Sequence, residues 1–75
     1  MMTILQADVI FRQGGPAEFG FIGRVLLGQS ALYETRQETS YENAMEQAKY
    51  WCRRIQSDQE LFQLLLTMRD KIASL

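Results

Sequence analysis

A chain of 75 residues forms one domain. At this size folding buries only about 60% of the surface of the unfolded chain, so stability is marginal and association is a common remedy. The composition, 47% hydrophobic and 23% charged, is too apolar for disorder. A net charge of −1, no His and one Cys exclude an internal disulfide, His-based acid–base or triad chemistry, most zinc sites and the basic excess of a phosphate binder.

The chain begins Met1-Met2-Thr3-Ile4-Leu5-Gln6-Ala7-Asp8, without the basic n-region and apolar h-region of a signal peptide. No apolar run approaches the roughly 20 residues needed to span a bilayer. A cytoplasmic location without membrane attachment is expected. Residues 3–12 read as the first strand, with Leu5, Ala7, Val9 and Phe11 on one face and Gln6, Asp8 and Arg12 on the other. Gln13-Gly14-Gly15-Pro16-Ala17 reads as a turn, because Gly permits unusual dihedrals and Pro fixes its own φ.

Residues 19–27 read as the second strand. Phe19, Phe21, Gly23, Val25 and Leu27 share one face, and Gly20, Ile22, Arg24 and Leu26 the other. Gly20 and Gly23 mark a bulge or a close backbone approach. Gly28-Gln29 fits a two-residue hairpin loop of type II′. The third strand follows over residues 30–36, with Ala31, Tyr33 and Thr35 opposing Leu32, Glu34 and Arg36.

Two helices close the chain, over residues 41–56 and 58–74. Ser40 is the expected N-cap of the first, which carries an apolar stripe of Tyr41, Ala44, Met45, Ala48, Trp51, Cys52 and Ile55. Glu42 and Glu46 lie early and Lys49, Arg53 and Arg54 late, matching the helix dipole. Ser57-Asp58-Gln59-Glu60 has the form of a capping box with Ser57 as N-cap. In the second helix Leu61, Leu65, Met68, Ile72 and Leu75 form a heptad-like seam widened by Leu64. Phe62, Leu66 and Ala73 add a second strip about 100° around the axis.

The expected fold is α+β: a three-stranded antiparallel meander followed by two C-terminal helices, β-β-β-α-α. The expected core is Val9, Phe11, Phe19, Phe21, Val25, Ala44, Ala48, Trp51, Ile55, Leu61 and Leu65.

Chemistry is sparse. Glu42 and Glu46 lie four apart on one helix face, but two carboxylates without further ligands make a poor metal site. The Gly14-Gly15 loop lacks the Lys-Ser/Thr of a phosphate loop and precedes a strand. No serine has a base to activate it. No catalytic, cofactor-binding or metal-binding residue is expected. The reading is a non-enzymatic module that binds another protein or a second copy of itself, a homo-oligomer being expected. Such a module could be a small subunit, an assembly factor, or an inhibitor or regulator, antitoxin-like or phage-encoded. The expected contact residues are Phe62, Leu66, Met68 and Ile72, because contiguous apolar surface marks contact sites. The alternative is a nucleic-acid-binding sheet face near Arg12, Arg24 and Arg36, with Phe19 and Phe21 as stacking aromatics.

The segment Thr39-Ser40-Tyr41-Glu42-Asn43-Ala44-Met45-Glu46-Gln47-Ala48-Lys49, after a strand meander, resembles the antitoxin domains of the HicB type. The resemblance covers about residues 19–55. It departs from that family at the loop between the second and third strands, where Leu27-Gly28-Gln29-Ser30 stands in place of a Leu-Pro-Gly-Cys-like turn. The resemblance implies a non-catalytic protein that inhibits a partner by binding it, as an oligomer.

Overall fold

The computed structural model describes residues 4–13 and 19–73. Three strands, β1 (Leu5–Gln13), β2 (Phe19–Leu27) and β3 (Ser30–Glu38), form one antiparallel sheet in the order β1-β2-β3. Two helices follow, α1 (Tyr41–Ser57) and α2 (Gln59–Ala73). The fold is therefore the α+β meander with two C-terminal helices that the sequence pattern describes. The Gly14–Ala17 part of the expected first turn lies outside the described residues, as do Thr3 and residues 74–75.

Local chemistry explains most of the element ends. Leu27 pairs with Ser30 across Gly28-Gln29, and of these two loop residues only Gly28 takes a positive φ, of 65°. Type I′ needs positive φ at both central residues, so this pattern fits a II′ turn. Ser40 caps α1 in extended geometry, its hydroxyl accepting from the Asn43 N–H at 3.1 Å. The expected second cap is corrected. Ser57 does not start α2; its hydroxyl donates to the Arg54 carbonyl at 3.1 Å and so finishes α1. Asp58 is the cap, its carboxylate accepting from the Leu61 N–H at 3.1 Å. Its own N–H donates to the Ile55 carbonyl at 3.3 Å. One residue thus serves both helix ends.

α1 lies on the sheet face that carries Phe21, Gly23 and Val25. Contact is closest at Gly23, where a Cβ would stand 2.3 Å from the Ala44 carbonyl oxygen and 3.0 Å from the Ala48 Cβ. Ala44 and Ala48 are completely buried there. Glycine on the strand and alanines one helical turn apart let the backbones approach, as small residues must.

Two bulges shift β3 against β2. Leu32 is the extra residue between the Val25–Tyr33 and Leu26–Ala31 pairs, so it joins Tyr33 on the α1 side instead of opposing it. Gly23 faces both Thr35 and Arg36 at the second bulge. The buried Thr35 hydroxyl takes up the break by accepting from the Gly23 N–H at 3.1 Å and donating to the Arg36 carbonyl at 2.9 Å. Past it the ladder resumes, and β3 reaches Glu38, opposite Phe21.

The core is a cluster of Leu5, Val25, Leu32 and Ile55 at the end of the sheet where α1 hands over to α2. Leu27, Tyr33, Trp51 and Cys52 pack around it, joined by Leu61, Phe62, Leu65 and Leu66 of α2. The expected core therefore needs revision. Val25, Ala44, Ala48 and Ile55 are buried, whereas Val9, Phe21, Trp51, Leu61 and Leu65 are half-buried. Phe11 is 56% exposed, because it stands at the end of β1 opposite to Leu5 and the core cluster; its ring meets Phe21 edge-on at 5.2 Å. The Phe19 side chain lies outside the described set. Leu5, Ile22 and Leu32 are buried in addition.

Candidate interaction surface

The sheet face turned away from α1 carries charge in a closed arrangement. Asp8, Arg24 and Glu34 stand in one cross-strand row. The Arg24 guanidinium donates to both carboxylate oxygens of Asp8, at 2.9 and 2.6 Å. This fork-to-fork bond raises the Arg24 pKa above its ordinary value, partial burial opposing it and the charges of Asp8 and Glu34 adding to it. Arg12 reaches Glu34 on this face at 3.4 Å, whereas Arg36 reaches Glu38, which stands opposite Phe21, at 3.1 Å. Arg12 is on β1 opposite Gly20, and Glu34 is on β3 opposite Arg24. A line between them crosses β2 at Ile22, which is only 5% exposed although no helix covers that face. Ile10 and Gln37 flank the isoleucine across the strands, and the Arg12–Glu34 pair spans the same row.

Each arginine of the proposed nucleic-acid face is thus held by an acid. The aromatic part of that reading is on the wrong side: Phe21 faces α1, its ring 6.1 Å from that of Tyr41, while Arg24 projects from the other face. Among the described residues no group of three or more His, Cys, Asp or Glu could hold a metal ion. Among them also, no helix is long and apolar enough to cross a membrane.

α1 presents a second polar surface, where Tyr50 meets Trp51 edge-on at 5.4 Å and the Arg54 guanidinium lies 5.9 Å from the Trp51 ring centre. The other side of Trp51 packs on Tyr33, ring centres 5.0 Å apart, so this cluster is a rim of the core. Cys52, next along, packs against the core. Burial pushes its thiol pKa up, and the neighbouring Arg53 charge pulls back more weakly.

α2 differs from every other element in having no buried residue among its described side chains. Phe62 and Leu66 turn toward the chain's own core and are half-buried there; Phe62 lines a shallow groove with Leu5, Ile55 and Gln59. Met68 lies outward, 51% exposed, and Leu64 beside it is 56% exposed. Ile72 is on α2, but its side chain is outside the described set. Of the three expected contact residues whose side chains are described, Phe62 and Leu66 serve the inner side and Met68 belongs to an outer flank with Leu64. Helical periodicity gives Leu64 only the part of widening the seam. Its exposure depends on how α2 docks, which periodicity leaves open.

No family model, curated protein or solved structure matches the chain.

Proposed function

We propose that the chain is a non-enzymatic interaction module whose contact surface is the outer flank of α2. It would serve as a small subunit, assembly factor or binding regulator of a partner protein. The observation that carries this reading is a 15-residue helix rich in leucine, docked on one side only, with Leu64 and Met68 standing in solvent. Contiguous apolar surface on a small domain usually marks where another molecule sits. The ion-paired arginines of the open sheet face support a protein over a nucleic acid as that molecule, since phosphate would have to displace Asp8 and Glu34. An antitoxin-like role, suggested by the resemblance of residues 39–49, fits within this reading.

The test is capture by the tagged chain from extracts of its own cells, against a Leu64→Ser/Met68→Ser variant. Both residues are more than half exposed, so the variant is expected to keep the wild-type circular dichroism and unfolding midpoint while losing what wild type captures, whether further copies of the chain or another protein. Capture of nothing by either chain, or equal capture by both, overturns the reading. So does collapse of the variant's fold, which would make these residues core.

A further inference from the structure

We infer that the outer edge of β1, together with the groove beside Leu5, takes up an extended, uncharged segment of another protein as a fourth strand. The site is separate from the outer flank of α2 and gives the module a second contact surface.

The first support is the backbone of β1. Gly23 donates its N–H to the Thr35 hydroxyl on β3 at 3.1 Å, and Leu27 closes the two-residue hairpin with Ser30. In an antiparallel strand the N–H and C=O of one residue point to the same side, and successive residues alternate sides. The odd-numbered residues of β2 therefore turn their backbone groups to β3, and the even-numbered ones to β1. Val9 stands opposite Gly23, Ala7 opposite Val25 and Leu5 opposite Leu27. Leu5, Ala7 and Val9 thus point their N–H and C=O groups away from β2. Among the described residues no strand lies on that side and nothing bonds these groups. The two edges of the sheet differ. β3 is interrupted by two bulges, a device that closes an edge to strand addition. β1 keeps an unbroken register over its nine residues and has neither Pro nor Lys. Its charged residues, Asp8 and Arg12, are held by Arg24 and Glu34. Such an edge is a ready template for another strand.

The second support is the groove at the end of that edge. It measures about 350 Å³ and is lined by Leu5, Ile55, Gln56, Gln59, Phe62 and Gln63. No residue of β2 or β3 lines it, so it is continuous with the β1 edge. Its floor is apolar and its rim is three neutral amides, none of which has a partner among the described residues. Each amide offers donors and an acceptor, as a peptide backbone requires. No charged side chain lines the groove, so it suits the interior of a segment and not a charged chain end. Directly opposed side chains in an antiparallel pair share a face. Residues set against Val9, Ala7 and Leu5 therefore point to the α1 side, and the one against Leu5 enters the groove. The residues between them face Gln6 and Asp8. The partner segment is thus apolar-polar-apolar-polar-apolar, with its largest apolar side chain at the Leu5 end. Main-chain bonds hold such a strand and the side-chain pocket selects it.

The probe is a synthetic peptide, acetylated and amidated, in which Val-Thr-Val-Thr-Leu is flanked by Gly-Ser pairs. It is titrated into the isotope-labelled chain and followed by amide NMR shifts. The expected result is saturable binding that moves the backbone amides of Leu5, Ala7 and Val9 and the side-chain amides of Gln56, Gln59 and Gln63. In this register the valine and leucine N–H groups face β1 and the threonine N–H groups face away. N-methylation of the middle valine is expected to weaken binding roughly tenfold, the scale of one lost hydrogen bond. N-methylation of the threonine after it is expected to leave binding unchanged. Ala7→Pro removes an outward N–H and no bond to β2, so this variant is expected to keep its circular dichroism and lose the peptide. Should it fail to fold, the two methylated peptides on the wild-type chain decide. Absence of saturable binding overturns the inference. So do equal losses from the two methylations, equal binding of a shuffled Val-Val-Leu-Thr-Thr peptide, or shifts confined to the outer flank of α2. Shifts of the Leu5, Ala7 and Val9 amides that follow chain concentration and resist the peptide overturn it as well, making the occupant a second copy. The proposed function is read separately, from capture sensitive to Leu64 and Met68, so either can fail without the other.

Discussion

At the scale of single residues, the tightest constraint is Gly23. Its missing side chain is what lets α1 rest on β2, since a Cβ would stand 2.3 Å from the Ala44 carbonyl oxygen, a backbone atom that cannot rotate away. Gly23→Ala should destabilise the fold by about 3 kcal/mol, the upper part of the range for overpacking, read as a lowered urea midpoint at unchanged slope. An effect within about 0.5 kcal/mol, the scale of ordinary surface changes, would mean that α1 is free to shift. Cys52 makes a different prediction. Burial raises its pKa, and the thiolate is the reactive form. An aromatic disulfide reagent at neutral pH should label the folded chain more slowly than the urea-unfolded chain, with the gap closing as pH rises. The sign for stability follows: with the folded value above the unfolded one, the contribution is fully present below the ordinary thiol range and is lost as pH climbs through the folded value. Equal labelling rates in the folded and unfolded chains would contradict this burial.

At the scale of elements, Asp58 joins the helices. It caps α2 through its carboxylate and closes α1 through its N–H. Asp58→Ala should cost about 1 kcal/mol, typical of a lost N-cap. Ser57→Ala should cost less, because the Ser57 hydroxyl only supplements the end of α1. Reversed magnitudes in urea unfolding would return the cap to Ser57. The difference shows what the sequence makes legible. The turn at Gly28, the cap at Ser40 and the order of strands and helices rest on chemistry within a few neighbouring residues, and the pattern gives them directly. Ser57-x-x-Glu60 and Asp58-x-x-Leu61 are both local solutions, and the sequence alone does not rank them. The bulges lie further out of reach. Leu32 enters the core because β3 slips against β2, and Ile22 is buried on the open face between its cross-strand neighbours Ile10 and Gln37, on the line that the Arg12–Glu34 pair spans. Both depend on register between strands. The face of α2 is the same kind of problem: the helix carries two apolar strips, and only docking against Leu5 and Ile55 sends Phe62 inward and leaves Met68 outside.

At the scale of the whole molecule, stability is uneven in a way that connects to function. β2 is paired on both sides and covered by α1, and it supplies Val25, which is wholly buried. α2 is attached at one end through Asp58 and touches the core with half-buried side chains only. Segments with few buried apolar contacts open locally at a small fraction of the global cost. At low concentration, amide hydrogen exchange should therefore find α2 exchanging well before β2 and the buried side of α1. A partner that binds only the folded arrangement stabilises it by mass action. If the outer flank of α2 is covered by a second copy, raising protein concentration should slow exchange in α2 first, and the thermal midpoint should rise with it. The Leu64→Ser/Met68→Ser variant should show the same exchange profile as dilute wild type at every concentration. Protection in α2 equal to that in β2 at the lowest concentration would place the helix in the cooperative core of a single chain. The outer leucine and methionine would then contribute nothing to holding α2 in place.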